Sequence, residues 1–199
     1  MKRIQTLGLT LVAMLACSAV AASAASAHEF QINKETGAFK AKATTSQVFT
    51  FPAATVTCTE DTLSGSFSHF PVKTMILGAE YRNCSVAKWV GSTITMSAVE
   101  YEFLAEGGPT TAEVKLLKAF TITAKAPAGK CVMTIAAQGL KNVEYVNKSG
   151  VALGVNAKLT KITSSATGSL CTNYTNNTAG EFSGNNLLEV LNGGEIQYV

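Results

Sequence analysis

From Val99 to Phe103 the chain alternates without a break, with Val99, Tyr101 and Phe103 on one side and Glu100 and Glu102 on the other. Period two means a strand with one buried and one solvated face. The same rhythm recurs along most of the sequence. Phe120, Ile122 and Ala124 alternate with Thr121, Thr123 and Lys125; Cys131, Met133 and Ile135 share a face, as do Val143 and Tyr145. Val151, Leu153, Val155, Ala157 and Leu159 keep the period through Asn156 and Lys158. Between these runs stand turn signals: Gly107-Gly108-Pro109, Ala126-Pro127-Ala128-Gly129, Lys148-Ser149-Gly150 and Asn192-Gly193-Gly194. A helix is arguable only over Ala112–Lys118, and even there Val114 and Leu116 fit a strand leading into Phe120. Many short strands at regular spacing predict an all-β fold: an antiparallel β-sandwich or partly closed barrel.

The first 27 residues read differently. Lys2 and Arg3 precede an apolar run from Ile4 to Val20, which fades into small residues ending Ala25-Ser26-Ala27. This is the pattern of a signal peptide cleaved before His28, with Ala22-Ser23-Ala24 as an alternative site. Lipidation at Cys17, after Met14-Leu15-Ala16, is the other reading; the tripeptide is a poor lipobox and the apolar stretch continues past the cysteine. No later run is long enough to span a bilayer. The expected location is therefore secreted, with a lipid anchor through Cys17 as the alternative.

The leader also sets the charge. The full 199-residue chain carries +3, but removing residues 1–27 leaves 14 basic and 13 acidic side chains. A nearly neutral chain gives no composition-based case for nucleic acid or an anionic membrane as partner. The expected mature domain is 28–199, as one unit or as lobes 28–125 and 126–199 divided at the Ala126–Gly129 turn.

Cleavage leaves four cysteines, Cys58, Cys84, Cys131 and Cys171, an even number suited to an oxidising compartment. Three pairings are possible. The sequential one, Cys58–Cys84 and Cys131–Cys171, keeps each bridge within one half of the chain and is the pairing expected. Each bridge is worth roughly 3–4 kcal/mol by loop-closure entropy.

The spacing Cys58…Ser64-Gly65…Tyr81-Arg82-Asn83-Cys84, then Glu100-Tyr101-Glu102-Phe103, Cys131…Gln138-Gly139-Leu140…Val143-Glu144-Tyr145, Cys171 and Gly180-Glu181-Phe182-Ser183-Gly184 resembles a set of uncharacterised secreted proteins of soil actinobacteria. The resemblance covers nearly all of the mature chain and implies a secreted, disulfide-containing β-rich fold. Members of that set often carry a further cysteine pair near Val99 and Ala119, where this chain is apolar. The resemblance implies no activity.

Candidate chemistry is sparse. Asp61, the only aspartate, lies near Ser66, Ser68 and His69, but no Gly-x-Ser-x-Gly elbow accompanies them. Glu100 and Glu102 stand one pleat repeat apart, roughly 7 Å, which is between the two carboxylate separations of glycoside hydrolases. Their strand gives them simply the solvent face. Cleavage before His28 exposes an α-amine and an imidazole that can chelate one copper ion, with His69 as a third nitrogen; the following Glu29-Phe30-Gln31 does not match copper enzymes built this way. Trp89 with Tyr81 and Lys88 forms a possible stacking spot, though a single Trp in a β-domain usually packs in the core. Sequons at Asn83, Asn147, Asn173 and Asn176 fit a chain rich in Asn, Ser and Thr. The resulting expectation is an exported, non-catalytic binding or structural module for a cell-envelope or extracellular ligand. The alternatives are a copper-binding β-sandwich protein using His28 and His69, and a hydrolase using the carboxylate pair.

Overall fold

The computed structural model describes residues 28–199 except 70, 90, 150 and 172; the expected signal peptide and Cys17 lie outside the described residues. Among the described residues there are strands and no helix. The strands are β1 (Phe30–Ile32), β2 (Gly37–Ala43), β3 (Gln47–Thr50), β4 (Thr55–Phe67), β5 (Thr74–Val86), β6 (Thr93–Met96), β7 (Val99–Leu104), β8 (Ala112–Leu116), β9 (Phe120–Ala126), β10 (Gly129–Ile135), β11 (Gln138–Lys148), β12 (Ala152–Thr167), β13 (Tyr174–Val190) and β14 (Ile196–Tyr198). Every ladder between them is antiparallel.

The ladders close on themselves. β4 pairs β5, β5 pairs β7, β7 pairs β8, β8 pairs β11, β11 pairs β12, β12 pairs β13, β13 pairs β2, and β2 returns to β4. This is a barrel of eight strands: of the two expected architectures the barrel is the one realised, and its ring closes fully. Closure removes the row of unpaired backbone groups that an open sheet would leave along its edges. Strand β3 pairs the remaining lengths of β13 and β4 beyond the reach of β2, so β2 and β3 act as two pieces of one stave.

Two of the staves outrun the barrel. β12 and β13 are 16 and 17 residues long. Past Lys161, which has a φ of 60°, the register of β12 shifts and its end pairs β10, which carries β9 and then β6 outward as an extension. A residue in left-handed conformation inside a strand is the mark of a bulge, which bends the strand and resets which side chains face inward. Asn142 in β11 (φ 77°) does the same between Leu140 and Val143. In β5, Asn83 (φ 50°) marks the step from inward Tyr81 to Cys84, while facing β4 steps from Cys58 to Asp61. Asn tolerates this conformation better than most residues.

Both expected disulfides are present. Cys58–Cys84 joins ladder partners on β4 and β5, and Met96 Sδ of β6 lies 3.9 Å from both sulfurs, tying the extension to the barrel wall. Cys131–Cys171 fastens the β12–β13 connection to β10. Residues 112–116, where a helix was arguable, form β8, with Ala112, Val114 and Leu116 buried. Helix preference differs by only tenths of a kcal/mol per residue among such side chains, and two neighbouring strands offering ladders outweigh it. Val151 is 53% exposed and belongs to the β11–β12 turn; the alternating run begins at Leu153.

One end of the barrel is covered by the β1–β14 ribbon. Phe30, Ile32, Ile196 and Tyr198 all face inward and are buried, with Phe30 meeting Tyr145 edge-on at 5.1 Å. Both flanks of the ribbon are capped. Phe30 exchanges backbone hydrogen bonds with Val72, and the Asn147 carboxamide donates to Tyr198 O at 2.9 Å and accepts from Tyr198 N at 2.8 Å. A side chain thus stands in for the next strand.

Candidate functional site

The barrel interior is mostly Leu, Val and aromatic, but a polar cluster sits inside it. Gln47 is fully buried and Asp61 is 5% exposed. Gln47 Nε2 donates to Asn186 Oδ1 at 3.0 Å, and Asn186 Nδ2 donates to Asp61 Oδ2 at 3.0 Å. That chain fixes the orientation of the Asn186 amide, because the reverse would set donor against donor at Gln47. Gln47 also donates to Thr45 O at 3.0 Å. Nearby, the Tyr81 and Tyr101 hydroxyls bond to each other at 2.8 Å, and Tyr81 is the ladder partner of Asp61.

Burial is what shapes the electrostatics. It raises the Asp61 carboxyl to about 6, offset in part by the Asn186 amide and the Ala43 backbone. Burial also pushes both phenols well above their ordinary range, with the Asp61 charge adding to the effect. A carboxyl raised this far is a feature of many functional sites, yet here it faces a filled interior. The space beside Gln47, Tyr81, Tyr101 and Asn186 is about 30 Å³, and that beneath Phe49, Phe120 and Phe182 about 20 Å³. Neither admits an organic substrate.

The candidate residues from sequence do not converge. Asp61 points inward from β4, while Ser66, Ser68 and His69 are all exposed, so the barrel wall separates the carboxyl from the other three. Glu100 and Glu102 lie on the outer face of β7, paired with Lys118 at 3.0 Å and Lys115 at 3.4 Å. His28 Nδ1 lies 3.2 Å from Val199 O, and its ring stacks on Tyr198 at 5.2 Å. The contact is a hydrogen bond only in the tautomer that carries its proton on Nδ1, whereas chelation of copper together with the α-amine uses that nitrogen bare. Among the described residues no three His, Cys, Asp or Glu side chains gather around a common point. Trp89 packs at the core edge, and Tyr81 is inside the barrel, away from any shared surface with exposed Lys88.

Outside, the ribbon borders an open concavity of about 400 Å³ lined by Gln31, Asn33, Lys34, Glu35, Glu195 and Gln197. Gln31 and Gln197 are ladder partners on the outer face. Asn33 Oδ1 accepts from Glu195 N at 2.7 Å, and Lys34 donates to Asn192 O in the Asn192-Gly193 turn. Both turn residues have positive φ, 62° and 75°, as the tight hairpin connection demands of an Asn-Gly pair. The groove floor is thus held by backbone as well as side-chain bonds.

Sequence reasoning missed Gln47 and Asn186. A signal existed for Asp61: it keeps phase with Leu63 and Phe67, so the alternation already placed it on the core face. Comparison with known proteins gives no matching family model, no matching curated protein and no matching solved structure.

Proposed function

We propose that the protein is an exported, non-catalytic binding or structural module that acts at the cell surface or in the extracellular space. The observation that carries this reading is the closed ring of eight ladders around an interior filled by its own side chains. A solid barrel offers ligands only its outside, and contact with a partner there needs no moving parts. Two disulfides suit an oxidising compartment. The groove beside β1 and β14 supports a polar ligand: carboxamides that both donate and accept, one ammonium and two carboxylates, with no aromatic platform among them. An uncharged or zwitterionic polymer of the cell envelope matches that chemistry.

The test is cosedimentation of the secreted protein with purified cell walls, compared with a Gln31→Ala, Gln197→Ala double variant. Sedimentation of the parent and its loss in the variant is the expected result. A protein that is not exported, or that stays in solution with every envelope fraction, would overturn the reading.

A further inference from the structure

The polar cluster inside the barrel does not balance its own hydrogen bonds. Gln47 Oε1 and Asp61 Oδ1 are buried acceptors without a hydrogen-bond partner among the described residues; the Ala43 backbone N–H lies near the Asp61 carboxyl without reaching hydrogen-bond geometry at Oδ1. An unsatisfied buried acceptor costs about 1–3 kcal/mol, so two on residues joined through Asn186 demand an explanation. A donor without an acceptor stands close by. In the Tyr81–Tyr101 pair one hydroxyl donates to the other, which leaves the second hydroxyl's hydrogen unused. Neither phenol reaches Asp61 Oδ1 directly, since that atom has no partner within hydrogen-bonding distance. Gln47, Tyr81, Tyr101 and Asn186 share the walls of one small space of about 30 Å³; Asp61 does not line it but is held beside it, on Asn186 and opposite Tyr81 in the ladder.

We propose that this space is a binding site for one water molecule, which donates to Gln47 Oε1 and Asp61 Oδ1 and accepts the free phenolic hydrogen of the tyrosine pair. The count closes: two orphan acceptors take the two hydrogens of water, and one orphan donor finds its oxygen. The volume fits a single water, which needs at least about 10–15 Å³ of such space and two to four polar partners. The remaining walls, including Leu63, Phe103, Val114 and Val155, are apolar and exclude anything larger or more highly coordinated. The water would be an integral part of the barrel, joining β3, β4 and the tyrosine pair of β5 and β7.

The test is a crystal structure at about 1.2 Å, grown with sodium-free and with sodium-containing buffer. The expected result is one isolated peak in both, about 2.7–3.2 Å from Gln47 Oε1, Asp61 Oδ1 and one tyrosine oxygen. No peak, with Asp61 protonated and bonded directly to Gln47, would overturn the proposal. So would a peak present only with sodium, or one with five or more oxygen neighbours nearer than about 2.6 Å, which is cation geometry.

Discussion

Asn186 holds Asp61 at 3.0 Å although 125 positions separate them, and the bond crosses the interior from β13 to β4 at the place where the barrel closes through β2. The contact links the last long strand to the first, so it exists only once the ring is complete. It also puts the chain's single aspartate out of reach of bulk water.

Asp61 gives stability a specific dependence on pH. Its folded-state carboxyl titrates near 6 against an ordinary 3.8, so the folded protein binds the proton more tightly than the unfolded chain. The stabilisation is therefore fully present below about pH 4 and is lost as the pH rises through about 6, up to about 3 kcal/mol in all. Urea unfolding across pH 4–7 checks this: the stability of the parent minus that of Asp61→Asn falls over that window. Equal slopes for the two proteins would exclude Asp61 as the group responsible.

Gly184 faces Gln47 so closely that a Cβ would overlap Oε1, and Gln47 is pinned by its bonds to Thr45 and Asn186. Gly184→Ala is expected to cost about 1–3 kcal/mol by overpacking. Gly78→Ala is the control, since its added carbon meets nothing nearer than Ser64 O at 3.8 Å; its stability stays within about 0.5 kcal/mol. Thermal unfolding of both variants makes the comparison.

The two disulfides have different domains of effect. Replacing either pair by serine lowers stability by about 3 kcal/mol. Loss of Cys131–Cys171 frees the β12–β13 connection, and hydrogen exchange is expected to rise over residues 167–174 while the β4–β5 ladder keeps its protection. Loss of Cys58–Cys84 instead releases Met96, and exchange rises in β6 and β9.

Asn147 stands in for a strand beside Tyr198. Asn147→Leu removes both bonds and is expected to cost about 1–3 kcal/mol. Exchange at the Tyr198 amide reads the loss directly; an unchanged rate would mean that the ribbon is held by its apolar face alone.

Glu100 and Glu102 are paired with lysines on the outer wall, where ion pairs contribute little. The double variant Glu100→Gln, Glu102→Gln is expected to change stability by less than about 1 kcal/mol in a chemical-denaturation curve. A larger loss would assign the pair a role beyond the solvent face of β7.

The alternation of Val99, Tyr101 and Phe103 with two glutamates was enough to determine a strand, its buried face and the all-β class, because period two is a property of a single extended segment. Cysteine count and order were enough to pose the disulfides, and the sequential pairing is the one found. What alternation cannot carry is which strand lies beside which, or where its phase resets. Lys161, Asn142 and Asn83 turn inward faces outward through bulges that depend on neighbouring ladders, so the bend of β12 out of the barrel was not legible. The Asp61–Asn186–Gln47 chain was hidden for the same reason. Three polar residues on three strands meet only because β2 closes the ring between β4 and β13, and closure is a sum of long-range ladders that no local pattern records.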